Sequence, residues 1–302
     1  MCSSTKERYC PVCRSETKIK LFLKKKINKE KINSFSFSSR KNPEFMRHQL
    51  VKCLNCSLVY SNFPPTQSSL KDSYHQADFD SKIEAKDASD TYINAIKSEI
   101  AFKKYKNRAL DIGTGDGIFL EGLKKIGFLK PEGIEPSINA IKSAPKERQL
   151  IIKNGIFKEE DYASESFDLI TCFMTLEHVL DPFEVSKSAF NLLRKGGVFI
   201  TVTHNYESKV NRILHTKSPI IDIEHMQLFS DKSIRKLMTN VGFEKVVNKA
   251  FKNRYRISYW IRLLPVPNNF KKVANKILFL FKLDEMRLSL CVGNQITTAY
   301  KK

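Results

Sequence analysis

Apolar and polar positions along this chain follow helical and strand periods in turn, and the switches between them predict its elements. From Ala88, the spacing of Ala88, Tyr92, Ile93, Ile96 and Ile100 marks one helical face. Ala109-Leu110 then enters Asp111-Ile112-Gly113-Thr114-Gly115-Asp116-Gly117, and a second helical pattern starts at Ile118. That order reads as strand, tight turn and helix. Apolar runs at 132–135, 150–152, 166–173, 198–203 and 243–247 predict further strands. Helical stretches stand between most of them. One follows Pro136-Ser137. One opens at Asp181-Pro182, a cap with proline in the first turn, and stops at Gly196-Gly197. One runs from Ser230 to Gly242. Alternating strands and helices predict a parallel sheet covered on both faces. Right-handed crossovers bring the strand C-terminal ends to one edge, where ligands bind such sheets.

The front of the chain has a different pattern. Cys10-Pro11-Val12-Cys13 and Cys53-Leu54-Asn55-Cys56 are two knuckles able to offer four thiolates to one tetrahedral zinc ion. Residues 18–40 alternate charged and apolar positions, which suits a hairpin between the knuckles. Ser57-Leu58-Val59-Tyr60 reads as a closing strand, and Pro64-Pro65 ends the unit. Four thiolates leave no open coordination position, so a structural zinc is expected. Cys2, Cys172 and Cys291 are scattered single thiols. The expected organisation is a zinc-binding unit at 1–65, a polar linker or lid at 66–87 containing His75, and an alternating domain at 88–302.

Composition narrows the class. Hydrophobic content of 41% and charged content of 28% suit a globular chain. No apolar run reaches the length of a membrane span. The longest candidate, Ile277-Leu278-Phe279-Leu280-Phe281, lies between Lys276 and Lys282. The N-terminus lacks the layout of a signal peptide, and a cytoplasmic protein is expected. The formal charge of +20 raises nucleic acid as a partner. Lysine is spread along the chain rather than clustered beside aromatics, so solvated faces are the favoured reading and nucleic acid is not.

The glycine turn suggests a ligand. Glycines at alternate positions let a small molecule approach the backbone closely. Glu135, at the end of the next strand, is placed to accept hydrogen bonds from ribose hydroxyls. The turn does not have the G-x-G-x-x-G spacing of dinucleotide sites. Asp111 and Asp116 would repel a pyrophosphate, whereas a cationic sulfonium on adenosine suits them. The charge favours S-adenosylmethionine over NAD.

Leu110-Asp111-Ile112-Gly113-Thr114-Gly115-Asp116-Gly117 resembles the first motif of the class I S-adenosylmethionine-dependent methyltransferases. Gly133-Ile134-Glu135-Pro136-Ser137, Phe167-Asp168-Leu169-Ile170, 176–182 and 193–198 resemble their later motifs. The two knuckles, with 225–230, 257–260 and Gly293-Asn294, resemble a bacterial subset carrying a zinc-binding front domain. The resemblance implies a Rossmann-like, doubly wound α/β fold with a mostly parallel seven-stranded sheet and a small zinc-ribbon-like domain. It implies that Asp111, Gly113, Thr114, Gly115 and Gly117 form the cofactor turn, with Asp111, Gly113 and Gly115 at the methionine end. Glu135 would take the ribose, Asn154, Gly155 and Ile156 would approach the adenine, and Phe173 would line the cofactor. Cys10, Cys13, Cys53 and Cys56 would hold the zinc. Thr114 replaces the family's common Cys, and His204 stands where this subset usually has Pro. The subset works on surface polysaccharide, modified sugars and natural products, so a small-molecule or sugar acceptor is expected.

A hydroxyl acceptor gains from a general base. His178, His204 and His225 are the candidates. His225 ranks first, because it precedes an apolar pair and a helix start. His178 ranks second, with a plain capping role for Glu177-His178 as its alternative. Residues 254–264 are aromatic and basic, 270–281 form an amphipathic helix, and 295–300 form a last strand. The resemblance places 251–290 over the acceptor pocket. A homodimer contact through the same apolar face stays open, and a membrane-surface helix ranks behind both. Two other classes compete: an RNA methyltransferase gripping its substrate through the zinc unit, and a non-catalytic S-adenosylmethionine-binding module. The intact turn and Glu135 argue against the second.

Overall fold

The computed structural model describes residues 7–39, 41–100 and 106–302, so Cys2 and Arg40 lie outside the described residues. Three short strands come first: β1 Ile19–Leu23, β2 Leu50–Cys53 and β3 Val59–Ser61. Helices α1 Gln67–His75 and α2 Lys82–Ile100 follow. The alternating part runs β4 Arg108–Ile112, α3 Ile118–Lys125, β5 Lys130–Glu135, α4 Ile138–Ser143, α5 Lys146–Gln149 and β6 Ile152–Asn154. It continues with β7 Phe167–Phe173, α6 Pro182–Leu192, β8 Leu193–His204, α7 Lys209–Leu214, β9 Gln227–Leu228 and α8 Asp231–Val241. A long hairpin of β10 Lys245–Arg256 and β11 Arg287–Tyr300 ends the chain, with α9 Ile257–Leu263 and α10 Asn268–Leu280 between its arms.

The main sheet has the order β10-β11-β8-β7-β4-β5-β6. β8, β7, β4, β5 and β6 are parallel, and β11 is antiparallel to both its neighbours. Successive strands run outward from β4 in one direction to β6 and then in the other through β7 and β8. The order therefore reverses beside β4, and the glycine turn leaves the C-terminal end of that strand. β7 is buried along its whole length, as a parallel strand covered on both faces must be. One core layer joins β7 and β8 to α6 and α8 through Leu192, Phe199, Leu237 and Met238. The other joins the sheet to α2, α3 and α9 through Tyr92, Ile96, Leu120 and Trp260.

The cysteine-bearing front is fastened to this sheet. β1, β2 and β3 pair antiparallel, and β9, from far along the chain, adds to β3 as a fourth strand. Asn240 of α8 donates to the Val12 carbonyl at 3.1 Å. Val12, Val51 and Leu58 share a core with Phe229 and Ile234.

Several elements differ from the sequence reading. The hairpin between the knuckles pairs β1 with β2, so its second arm lies beyond 18–40. The alternating Ser34-Phe35-Ser36-Phe37 forms turns, because local side chains satisfy the backbone. Phe35 N–H donates to Asn33 Oδ1 at 2.8 Å, and Asn33 N–H donates to Ser36 Oγ at 3.1 Å. Residues 66–87 carry α1, capped by the Thr66 side chain, and the first turn of α2. The buried face of α2 extends before Ala88 through Asp87, whose carboxylate meets Arg287 at 2.6 Å. Apolar spacing alone could not show that ion pair. β10 runs on to Arg256, with Phe251, Asn253 and Tyr255 buried between exposed Lys252 and Arg254. The strand thus extends beyond the 243–247 expected for it and ends inside the aromatic and basic segment at 254–264.

Candidate active site

The turn after β4 begins by crossing to the next strand: Gly113 N–H donates to the Ile134 carbonyl at 2.9 Å. Gly113 and Gly115 have φ of +77° and +60°, the left-handed region that glycine enters without strain. No atom lies within 4 Å of where a Cβ on Gly115 would stand, so that side of the turn is open cradle. Beneath it, the Asp111 carboxylate accepts from the Thr171 hydroxyl at 2.6 Å. Burial pushes the Asp111 pKa up to about 6, against that bond. Glu135 accepts from Gly115 N–H and from Ser137 N–H, both at 2.8 Å. Burial pushes its pKa up to about 7. Two buried carboxylates with raised pKa values, one strand apart, suit a ligand that brings a positive charge and hydroxyl donors. The open cradle, the left-handed glycines and this donor set fit S-adenosylmethionine.

Asp111, Gly113, Thr114, Gly115, Glu135, Gly155, Ile156 and Phe173 all line one cavity of about 880 Å³. Gly117 and Asn154 stand behind its wall. Gly117 begins α3, where a Cβ would strike Ile152 and Arg148. The Asn154 side-chain amide donates to the Glu135 and Pro136 carbonyls at 3.1 and 3.3 Å, which ties the ends of β5 and β6 together. Asp116 is paired with Arg148 at 3.3 Å. Phe173 packs against Tyr92 of α2, with ring centroids 4.4 Å apart.

The same cavity reaches a cluster of three histidines. His225 is in the middle, with ring centroids 4.8 Å from His178 and 5.2 Å from His204. Burial holds all three well below the ordinary imidazole range, His178 at about 3 and His204 at about 4, so they are neutral. His225 Nδ1 lies 2.8 Å from the Ile220 carbonyl. A carbonyl can only accept, so Nδ1 carries the proton and Nε2 keeps its lone pair. Tyr74 of α1 contacts His178 Nδ1 at 3.0 Å, and the Asn294 side chain contacts His204 Nδ1 at 2.8 Å. The Glu224 carboxylate stands 3.6 Å from His178, and Lys41 pairs with Asp222 at 2.7 Å.

The three histidines stand far apart in the sequence, and the fold brings them together. Tyr74, Lys41 and Glu224, to which the sequence assigns no role, join them from the stretch expected as a linker or lid, the interval between the knuckles and a loop. His178 does not cap α6; the Asp181 side chain does, accepting from Phe183 and Glu184 N–H. His204 replaces the subset's proline with consequence: its backbone N–H donates to the Glu177 carboxylate at 2.6 Å, a bond proline cannot make.

At the front, Cys10 and Cys56 sulfurs are 3.5 Å apart, and those of Cys13 and Cys53 are 3.9 Å apart. All four lie within 4.8 Å of one another. A tetrahedral zinc with bonds of about 2.3 Å sets its sulfurs about 3.8 Å apart, so this cluster fits the ion. Asn55 donates to Cys13 Sγ at 3.5 Å. Cys172 is buried in β7 and Cys291 is exposed, both away from the cluster.

Residues 85–248 match the family model described as a methyltransferase domain. The chain belongs to this family. The chain is 30% identical over 116 residues to a ubiquinone biosynthesis O-methyltransferase of Neisseria meningitidis, covering 35% of this chain and 49% of that one. It is 33% identical over 110 residues to the Histophilus somni protein of the same name, covering 33% and 46%. The chain thus spans about half the length of the curated relatives it matches. Among solved structures, it is similar to a Thermotoga maritima protein described as an S-adenosylmethionine-dependent methyltransferase and possible histamine N-methyltransferase. That pair has 22% identity and a TM-score of 0.49, with 74% and 93% of the two chains covered. An Archaeoglobus fulgidus methyltransferase gives 17% identity and a TM-score of 0.48, covering 78% and 100%. Among the described residues, no helix is long and apolar enough to cross a membrane.

Proposed function

We propose that this chain transfers a methyl group from S-adenosylmethionine to a small-molecule or sugar acceptor, with His225 as general base. The observation that carries the reading is the single cavity joining the glycine turn to the three histidines. When bound, S-adenosylmethionine supplies an electrophilic methyl on a sulfonium. Asp111 offers that cation a buried negative charge. Glu135 accepts from the ribose, while Gly113 and Gly115 let the ligand lie against the backbone. Gly155, Ile156 and Phe173 form the wall on the adenine side. Nε2 of neutral His225 is available to take an acceptor proton, and His178 and His204 exclude water around it.

The charge of the cavity favours this acceptor class over RNA. Of its described lining residues, only Lys41 and Lys71 are basic, against eight carboxylates. A polyanion would be repelled from such a wall, and the excess positive charge lies elsewhere. The zinc role proposed for Cys10, Cys13, Cys53 and Cys56 is structural: the ion would hold β1 to β3 and, through β9, the segment that carries His225. Residues 66–87 are proposed to form a lid, since Tyr74 and Leu70 line the cavity. A radiolabelled methyl-transfer assay across hydroxylated aromatics, sugars, nucleotide sugars and RNA tests the reading. Incorporation into RNA alone would contradict it.

A further inference from the structure

The segment between β10 and β11 divides into two helices with opposite surroundings. α9 turns inward. Tyr259 and Trp260 are buried, Trp260 Nε1–H donates to the Leu288 carbonyl at 3.1 Å, and both rings line the cavity. α10 turns outward and buries none of its residues, so it is not the cover expected over the pocket. Its apolar side chains Phe270, Val273, Ile277 and Phe281 recur three or four residues apart and share one face. Each is more than half exposed, and Leu280 beside them is 75% exposed. A contiguous apolar surface of this kind marks an interaction site.

Two further observations identify its partner. From Leu264 to Leu283 the sequence contains Lys271, Lys272, Lys276 and Lys282 and no acidic residue. Exposed apolar side chains also stand at the cavity mouth. Val210 and Ile213 of α7, with Leu264 and Leu290, line the cavity while remaining exposed, Ile213 at 83%.

We propose that α10 lies on the surface of an anionic phospholipid bilayer, with the cavity mouth turned toward the lipid. The apolar stripe enters the boundary between headgroups and acyl chains, and the lysines reach the anionic headgroups. At 13 residues the helix is too short to span and lies in the plane instead. Pairing with a second copy through the same stripe is the competing occupant, and the test below distinguishes it.

The test is sedimentation of the full chain with phosphatidylcholine vesicles, with and without phosphatidylglycerol. Binding to the mixed vesicles and not to phosphatidylcholine alone is expected. Lys272→Gln with Lys276→Gln should weaken it by about fivefold per lysine. Ile277→Ser with Phe281→Ser should weaken it by at least about tenfold, because apolar burial is lost. These side chains are exposed, so cofactor affinity should not change, which separates this inference from the methyl-transfer reading. Wild-type protein left in the supernatant with both vesicle types would overturn it. So would full binding by the Ile277→Ser, Phe281→Ser variant, or a dimer in light scattering that this variant dissociates.

Discussion

The two halves of the cavity are built in opposite ways. The donor half is local: Asp111 to Gly117 and Glu135 come from two adjacent parallel strands and the turns that leave them. Backbone geometry does most of its work, through left-handed glycines and amide-bound carboxylates. The half proposed to take the acceptor is assembled from side chains of separated segments. Tyr74, His178, His204, Glu224 and Asn294 meet around His225, and Lys41 reaches in from the front. A turn repeated across a family can hold one cofactor for many acceptors, while a side-chain cluster can change without disturbing it. The halves should therefore fail separately.

The largest effect is expected at His225. His225→Gln should lower turnover on the true acceptor by roughly 10²–10⁴-fold, the usual worth of a positioned base. Its affinity for S-adenosylmethionine should stay within about twofold of wild type. A parallel loss of both would show that the halves are one unit.

Loss of the zinc site comes next. Cys53→Ser should lower the melting temperature by roughly 10 °C, since a few kcal/mol at 2–4 °C each is a fair cost for a broken site in a chain of this size. Because β3 pairs with β9 two residues after His225, turnover should suffer more than cofactor binding. Metal analysis of protein purified without chelator accompanies the melt. A zinc-free protein with unchanged melting would remove the ion from the account.

The smallest effect is a pH dependence. Asp111 and Glu135 have pKa values raised to about 6 and 7, so acid neutralises the charge a sulfonium needs. Cofactor affinity should rise from pH 5.5 to 8 by roughly tenfold and then level. Stability should move the other way. A carboxyl raised above its unfolded value holds its proton more tightly when folded, so its contribution falls as pH rises through that window. Affinity that is flat with pH would place the positive charge of the ligand elsewhere.

The same contrast explains what the chain disclosed in advance. The alternating sheet and the glycine turn are short-range patterns, and periodicity with charge was enough to find them. The sulfur cluster was legible from two knuckles because metal geometry demands such spacing. The histidine cluster was not, because its members stand far apart and their neutrality arises from burial. Tyr74 lies in a polar stretch that reads as a linker or a lid, with no motif to mark it, and its hydroxyl meets His178. Ser34 to Phe37 misled because alternation resembles a strand, whereas Asn33 and Ser36 close turns there. Gly117 and Asn154 belong to the motif pattern but serve the wall from behind.

The central claim is that the turn after β4 binds a cation on adenosine through Asp111. Calorimetric titration of S-adenosylmethionine at pH 8 tests it directly, using wild type and Asp111→Asn. Saturable binding at one site per wild-type chain is expected, with affinity lower by about 10- to 100-fold in the variant, the worth of a charged hydrogen-bonding partner. No binding by the wild-type chain, or equal affinity in the variant, would contradict it.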